Sequence, residues 1–432
     1  MTDLETRLRE TFERQAERAE LPVVTPALLG RARRRLARTV VLSVVIVLAL
    51  TALGVWSVQT ATTEPVKPVH RRVVPTVAAH NGDLAYVGGR LDAARLVIRR
   101  RDGSVSTVDR TRIEPEPCTP YAVVATMRGT PRCGGFGSLL WSPDGARLAF
   151  LFQHRWRHAA DAPVGLYVVR ADGTGLRKVA SCPTDRGILP CDLTDGAGQT
   201  WSPDSTRIAV SGDGRIWTAS VEDAGFRELT RCPPCLDSHP AWSPDGQSIA
   251  FARDDGVYEA SVADGSTWRL AALRGAVAPV WSPDGTKIAI LAEDGVYVLE
   301  GVDGSGDVRR IAEILTPQRA SVPAWSPDGQ RLAWLVDVSS RAPRLGLHVD
   351  LWMTRLDGTP PVRVVQGPCC LVDQQSDARV AWSPDGRKIA VHAPGHTATG
   401  APQGVLVVDV ASGRLRRIPG GDSASPAWRP VA

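Results

Sequence analysis

The sequence lacks the short motifs that mark several common classes of enzyme. It contains no G-x-S-x-G segment, which forms the nucleophile elbow of α/β-hydrolases. It has no P-loop and no H-E-x-x-H segment, so phosphate-cradling and zinc-protease sites of those types are excluded. The sequence therefore predicts a protein that is not an enzyme and that uses no cofactor and no metal ion.

Lysine and net charge are also scarce. The only lysines are Lys67, Lys178, Lys287 and Lys388, so the basic character comes from arginine. The formal net charge of +5 over 432 residues is too small to indicate a nucleic-acid partner. Hydrophobic residues make up 43% of the chain, which is enough for a large core.

Cysteine and histidine are absent from residues 1–69. Within residues 1–38, four apolar residues recur at helical spacing: Leu4, Leu8, Phe12 and Ala16. This spacing predicts a short amphipathic helix, and a docking helix for a cytoplasmic partner is the sharper alternative. The stretch resembles the cytoplasmic starts of actinobacterial membrane proteins that regulate sigma factors. Zinc-binding anti-sigma domains use His and Cys ligands, so the absence of both residues excludes that subclass for this stretch.

Residues 39–58 form an uncharged apolar run. A helix of ~20 residues spans ~30 Å, the thickness of the hydrocarbon core, so we predict a transmembrane helix. Five arginines precede the run: Arg31, Arg33, Arg34, Arg35 and Arg38. The positive-inside rule places residues 1–38 in the cytoplasm and the rest of the chain outside. A cleavable signal peptide is the alternative, but its apolar core is usually only ~7–15 residues long.

Residues 59–79 are rich in Thr, Pro and Val, which predicts an extended tether. Beyond them, one pentapeptide, Trp-Ser-Pro-Asp-Gly, recurs about every 40 residues, which indicates a repeat architecture. The copies start at Trp141, Trp201, Trp242, Trp281, Trp325, Trp382 and Trp428. The second copy has serine in place of glycine, and the last copy is degenerate. Ser-Pro-Asp-Gly is the chemistry of a tight turn.

Each turn leads into an apolar, β-prone run, and further short strands follow. Four antiparallel strands per repeat make one blade of a β-propeller, and the tryptophan is predicted to fill the wedge between neighbouring blades. The repeat resembles that of TolB-like and WD40-like (PD40) propellers over roughly residues 80–430, within a propeller domain predicted to cover residues 80–432. This resemblance implies an all-β propeller and no particular activity, because propellers host many unrelated functions.

The two ends of this domain are predicted to share a blade. Segments 83–87, 95–99 and 105–108 have the pattern of strands two to four, with no first strand before them. The segment around Trp428 has the pattern of a first strand with nothing after it. Together they give a seven-bladed ring without open sheet edges. A six-bladed ring, with residues 80–110 as an appendage, is the alternative.

All the cysteines follow the apolar run: Cys118, Cys133, Cys182, Cys191, Cys232, Cys235, Cys369 and Cys370. An even count outside the cytoplasm predicts disulfides. Proximity favours Cys118–Cys133 and Cys182–Cys191, and Cys232–Cys235 is interpreted as a local structural bond rather than a redox site. The adjacent pair Cys369 and Cys370 either forms a vicinal bond or reaches other loops. A four-thiolate metal site built from Cys232, Cys235, Cys369 and Cys370 is a further alternative.

Loop lengths predict a binding surface. Strands two and three are joined by long segments at 153–163, 337–348 and 392–403, and the cysteine-bearing segments 111–139, 181–199 and 367–380 open on the same face. In a closed ring they form one raised sector, where binding function tends to reside. The predicted contact residues are Arg155, Trp156, Arg157, Arg341 and Arg344, since Trp and Arg are enriched at hot spots. Tolerated insertions without a role are the alternative.

Five histidines also fall in predicted loops: His154, His158, His348, His392 and His396. We expect them to be solvated, with a metal-binding set as the alternative. The sequence as a whole predicts a single-pass membrane protein whose extracytoplasmic propeller binds a protein, a peptide or a cell-wall component. A transmembrane regulator with a cytoplasmic partner such as a sigma factor, and an enzyme with its site in the propeller mouth, are the alternatives.

Overall fold

The structure, a computed structural model, describes residues 70, 73, 82–88, 94–113, 119–120, 131–132, 134–154, 165–181, 198–223, 225–232, 235–302, 306–314, 319–337, 349–365, 380–393, 404–419 and 426–431. Their strands form seven blades, each an antiparallel meander, and a separate two-stranded ladder. The fold is therefore a seven-bladed β-propeller. The seven-blade prediction is confirmed, and the six-blade alternative is wrong.

In every blade, strand one is the innermost. Blade one comprises Ala427–Trp428, Leu84–Gly88, Arg95–Arg99 and Val105–Asp109. Blade two comprises Gly134–Trp141, Arg147–His154, Gly165–Arg170 and Arg177–Ser181. Blade three comprises Gln199–Trp201, Arg207–Gly212, Arg215–Ser220 and Phe226–Glu228. Blade four comprises Ser238–Trp242, Ser248–Arg253, Gly256–Ser261 and Thr267–Ala271.

Blades five to seven have the same strand order. Blade five comprises Ala278–Trp281, Lys287–Ala292, Gly295–Glu300 and Val308–Glu313. Blade six has a split first strand, Arg319–Ala320 and Ala324–Trp325, followed by Arg331–Asp337, Val349–Arg355 and Val362–Val365. Blade seven comprises Ala381–Trp382, Lys388–Ala393, Gly404–Asp409 and Leu415–Pro419. The separate ladder pairs Thr119–Pro120 with Pro131–Arg132, and a 3-10 turn covers Arg110–Arg112.

The predicted segments before the propeller lie outside the described residues. These are residues 1–38, the apolar run 39–58 and most of the tether 59–79. Among the residues that are described, no helix has both the length and the apolar character needed to cross a membrane.

The core of the propeller is divided into wedges between consecutive blades. Each of seven apolar clusters draws side chains from two neighbouring blades. The last of these wedges packs Leu84 and Tyr86 of blade one against Ala390 and Val405 of blade seven. Because this wedge joins the last blade to the first, the ring is closed by packing all the way round.

In the six copies that keep both residues, the serine and the aspartate close a local hydrogen-bond network. In the first copy, Ser142 Oγ donates to Asp144 Oδ1 over 2.5 Å and accepts the Arg147 amide over 2.9 Å. Asp144 Oδ1 also accepts the Ala146 amide over 2.9 Å. Burial would raise the pKa of Asp144, but the hydrogen bonds from Ser142 and Ala146 hold this pKa below its usual range. The turns are therefore rigid as well as tight.

The repeat tryptophan joins two blades. Six of the rings are buried in the wedges, as predicted, whereas Trp428 is half-buried. In five blades the indole N–H also donates to a carbonyl on strand one of the preceding blade. The pairs are Trp141 with Ala427, Trp201 with Leu140, Trp281 with Ala241, Trp325 with Val280 and Trp382 with Ala324, over 2.9–3.2 Å. The repeat pattern does not predict these hydrogen bonds.

Replacing Trp325 with Phe should cost about 1–2 kcal/mol more stability than replacing Trp242 with Phe. Both changes remove similar apolar area, but only the first leaves the Val280 carbonyl without its donor. The buried indole N–H of Trp242 has no hydrogen-bond partner among the described residues, so Trp242→Phe is the matched control. Denaturant unfolding of the two variants measures the difference, and equal losses would contradict a stabilising role for the indole hydrogen bond.

Blade one is completed by the end of the propeller sequence. Ala427 and Trp428 pair with Ala85 and Leu84. The next residue, Arg429, donates its amide to the Asp83 carbonyl over 2.7 Å, and its Nη1 lies 3.0 Å from Asp83 Oδ2. The composite blade predicted from the sequence is confirmed, and the bounds of its strands two to four agree with the prediction to within one residue.

Candidate functional site

The propeller has two faces with different connections. We call the face that carries the Trp-Ser-Pro-Asp-Gly turns the turn face, and the opposite one, where strand two meets strand three, the loop face. On the loop face, blades three, four and five have two-residue turns closed by Gly212–Arg215, Arg253–Gly256 and Ala292–Gly295 pairs. The long connections of blades two, six and seven leave from the same face.

The five contact residues predicted on this face lie outside the described residues. Arg155, Trp156 and Arg157 belong to the connection of blade two, and Arg341 and Arg344 to that of blade six. Their role stays a prediction. The bases of the connections are described, and they are paired right up to the point where the long segments begin.

Six of the eight cysteines also lie outside the described residues. Cys232 and Cys235 are joined by a disulfide on the loop face, as predicted, so they do not supply thiolates to a metal site. Thr119 and Arg132, the neighbours of Cys118 and Cys133, are ladder partners. The Cys118–Cys133 bond stays a prediction, because both cysteines lie outside the described residues.

A buried ion pair stands beside this disulfide. Arg253 Nε and Nη2 bind the two oxygens of Asp237 over 2.6 and 2.9 Å, and the guanidinium lies 4.4 Å from the Tyr258 ring centroid. Burial disfavours the charged guanidinium, but the bond to Asp237 outweighs it and raises the pKa of Arg253. Leu236, between the disulfide and this pair, exposes 64% of its surface. The ion pair and the disulfide therefore brace this part of the loop face.

Two of the histidines assigned to loops lie instead in strands. His154 ends strand two of blade two, and His392 lies in strand two of blade seven. The strands extend further than the apolar pattern suggests because their ladders continue to the bases of the long connections. His392 is buried, and burial lowers its pKa to about 4. The imidazole is therefore neutral at physiological pH and is part of the packing.

A buried cluster of ionisable groups lies on the turn face, between blades four and five. His70, from the segment predicted as a tether, inserts its imidazole there and exposes only 6% of its side chain. Its Nδ1 lies 3.2 Å from Asp245 Oδ2, its Nε2 contacts the Glu259 carboxylate, and its ring packs on Trp281 at 4.7 Å between centroids. We call the cavity formed by Ser248, Asp245, Glu259 and Trp281 the histidine slot.

Glu259 is unusual for its place in the repeat. It is fully buried, and it faces Ala250 across the ladder of strands two and three. The residues that occupy the same place in the other blades are Ile98, Val168, Thr218, Val298, Met353 and Val407. A carboxylate has therefore replaced a residue without charge, and a buried carboxylate needs a partner.

Ser248 is the second departure from the repeat. Five other blades begin strand two with a basic residue: Arg147, Arg207, Lys287, Arg331 and Lys388. Arg207 and Arg331 place their guanidinium groups over the tryptophan of the next blade, at 4.9 and 4.8 Å. In blade four the small Ser248 instead donates its hydroxyl to Glu259, which leaves the ring of Trp281 to His70.

The slot favours the protonated imidazole. Burial alone would lower the pKa of His70, but the hydrogen bond and charge of Glu259 and the charge of Asp245 outweigh it and raise the pKa. A second contact holds the same segment, because the Val73 amide donates to the Asp284 carbonyl over 2.9 Å. The segment is thus bound to the turns of blades four and five.

The predictions from sequence do not include this site, although two signals point to it. Glu259 is the one charged residue at its place in the repeat, and Ser248 interrupts a series of basic residues. Neither signal identifies His70 as the partner, because His70 lies 175 residues from Asp245 in the sequence and outside the repeats.

No known family profile matches the sequence, and a comparison with curated proteins finds no relative. Solved structures do resemble it. A putative 6-phosphogluconolactonase from Bacteroides uniformis is 13% identical, with a TM-score of 0.50, over 81% of this chain and 100% of that one. A putative TolB from Agrobacterium tumefaciens is 20% identical, with a TM-score of 0.43, over 72% and 96%. An oligogalacturonate lyase from Vibrio parahaemolyticus is 11% identical, with a TM-score of 0.49, over 79% and 87%. At 13% identity, the likeness to the first of these structures supports the propeller fold alone.

Proposed function

We propose that the chain is a membrane-anchored binding module whose extracytoplasmic propeller holds a protein, a peptide or a cell-envelope component on its loop face. The observation that supports this is the arrangement of connections. Blades three to five have two-residue turns, whereas the long connections belong to blades six, seven and two, which lie on either side of blade one. Insertions without a role need not fall in one sector.

The bases of these connections are rigid. The ladder of blade six extends to Asp337 and Val349, and that of blade seven to Ala393 and Gly404. The ladder between strands two and three of blade two extends to the pair of Phe152 and Gly165. Long loops on a rigid scaffold are where binding residues are commonly carried. We therefore propose binding, with no catalytic step and no cofactor, as the role of this face.

Shortening all three connections should abolish partner binding and leave folding intact. Residues 155–164, 338–348 and 394–403 would each be replaced by Asp-Gly, the pair found in the turn of blade three. Full-length wild type and variant are cross-linked in cells, and captured envelope partners are quantified by mass spectrometry. Glu293→Ala, in the short turn of blade five, is the control. Unchanged capture by the shortened variant would move the site to the central channel.

The anchor is proposed from residues 39–58, with residues 1–38 in the cytoplasm and residues 59–79 as the tether. A reporter that is active only outside the membrane should be active when fused after Ala432 and inactive when fused before Met1. Replacing the five arginines between residues 31 and 38 with glutamine should weaken the preference for a cytoplasmic N-terminus. A mature chain that begins near residue 60 would contradict the anchor.

A transmembrane regulator is the second candidate. The observation that favours it is the contact of His70 and Val73 with the propeller, since a segment that leads from a membrane anchor and binds the sensor domain can transmit a change. The test is retrieval of a specific cytoplasmic partner by residues 1–38. Failure to retrieve one would leave the binding module as the better account.

A further inference from the structure

The histidine slot is built for an occupant from outside blade four. The fully buried Glu259 accepts a hydrogen bond from the Ser248 hydroxyl, and its other contact in the slot is His70. Five other blades begin strand two with a basic residue, and blade four has Ser248 there instead. A cation that enters from the turn face replaces that basic residue, and packs on Trp281 as Arg207 packs on Trp242 in the preceding wedge.

The two described residues of this segment contact neighbouring turns. His70 contacts the turn of blade four through Asp245, and Val73 binds the turn of blade five through the Asp284 carbonyl. The side chain at position 70 supplies the charge recognition, and the backbone at position 73 supplies a contact that is independent of side-chain identity.

We infer that the histidine slot is a cation-binding site for the chain's own His70, and that the slot holds His70 and Val73 on the turn face at low pH, when the imidazole is protonated, and releases them as pH rises. Among the residues that the structure describes, Asp245 and Glu259 are the charged side chains that face the imidazole from the turn and the strand packed around it. The inference does not depend on binding at the loop face.

Release can be measured by trypsin, because Lys67, Arg71 and Arg72 flank His70. In the full-length protein, cleavage at these residues should be slow near pH 6 and at least about tenfold faster near pH 8.5, after correction for trypsin activity on a reference peptide. His70→Ala should be cleaved rapidly at both pH values, and His70→Arg slowly at both. Glu222→Gln, which alters an exposed carboxylate that pairs with Arg147, should behave as wild type.

Two results would overturn the proposal. One is a wild type that is cleaved as fast as His70→Ala near pH 6, and the other is a pH response that persists in His70→Ala. If His70→Ala folds poorly, His70→Ala combined with Glu259→Val provides the same test without a buried lone carboxylate. The double variant should be cleaved rapidly at both pH values.

Binding in trans gives a second measurement. A labelled peptide of residues 66–76 should bind full-length His70→Ala at pH 6 and should bind wild type at least about tenfold more weakly, because the segment in cis competes. The same peptide with alanine for histidine should not bind. Equal binding of the two peptides would refute recognition of the imidazole. A dimer of wild type that His70→Ala dissociates would assign the occupant to a second copy and overturn the in-chain contact.

Discussion

Deleting residues 425–432 will lower the free energy of unfolding of the propeller by at least about 4 kcal/mol, because three sets of interactions are lost together. Leu84 and Ala85 lose their ladder partners, and the Trp141 indole loses the Ala427 carbonyl. The contacts of Arg429 with Asp83 are lost as well. Thermal unfolding followed by tryptophan fluorescence should show a fall in Tm of roughly 5–10 °C.

The single substitution Arg429→Ala isolates one part of this effect. Arg429 Nη1 pairs with a largely buried Asp83, and its Nε donates to the Gly145 carbonyl of blade two over 2.7 Å. Arg269→Ala is the matched control, because Arg269 pairs with Asp255 on the exposed surface, where ion pairs contribute about 0–1 kcal/mol. A truncated protein that unfolds at the wild-type temperature would refute closure through this strand.

Replacing His70 with alanine should destabilise the propeller by about 3–5 kcal/mol near pH 6, because Glu259 would remain buried without its opposite charge. Adding Glu259→Val should restore most of that loss, since Val168, Val298 and Val407 occupy the same place in other blades. Unfolding measured on wild type, both single variants and the double variant gives the coupling energy. A coupling below about 0.5 kcal/mol would show that the two side chains act independently.

The effect of His70→Ala should depend on pH with a definite sign. The pKa of His70 is raised in the folded protein, so protonation favours the folded state. This contribution is fully present below the ordinary histidine pKa of about 6.5 and disappears as pH rises through the higher, folded-state pKa. The stability difference between wild type and His70→Ala should therefore be largest in mild acid and shrink towards alkaline pH.

The sequence alone predicts most of the propeller because one pentapeptide carries several local signals at once. Trp-Ser-Pro-Asp-Gly marks a strand end, a turn and a wedge residue, and its count and spacing predict seven blades. Even the contact between Trp428 and Leu84 could be predicted, since a ring without open edges requires the missing strand. The indole hydrogen bonds could not, because the pattern places each tryptophan without identifying its acceptor.

The histidine slot marks the limit of repeat-based prediction. Glu259 and Ser248 can be recognised as departures from the pattern, but His70 belongs to a segment that resembles a plain tether. Its partner is decided by packing between distant parts of the chain. For the five predicted contact residues on the loop face, from Arg155 to Arg344, the role stays a prediction because they lie outside the described residues.

The shared blade also imposes an order on biosynthesis. Asp83 and Arg429 are 346 residues apart, yet the first blade is complete only when both are present. At about 5–20 residues per second, strand two of that blade is exposed as an unpaired edge for roughly 20–70 s while the other six are made. During that interval the chain is an open arc that can pair with another nascent chain, so any factor that shields this edge should raise the yield of folded protein more than one that acts on the completed ring.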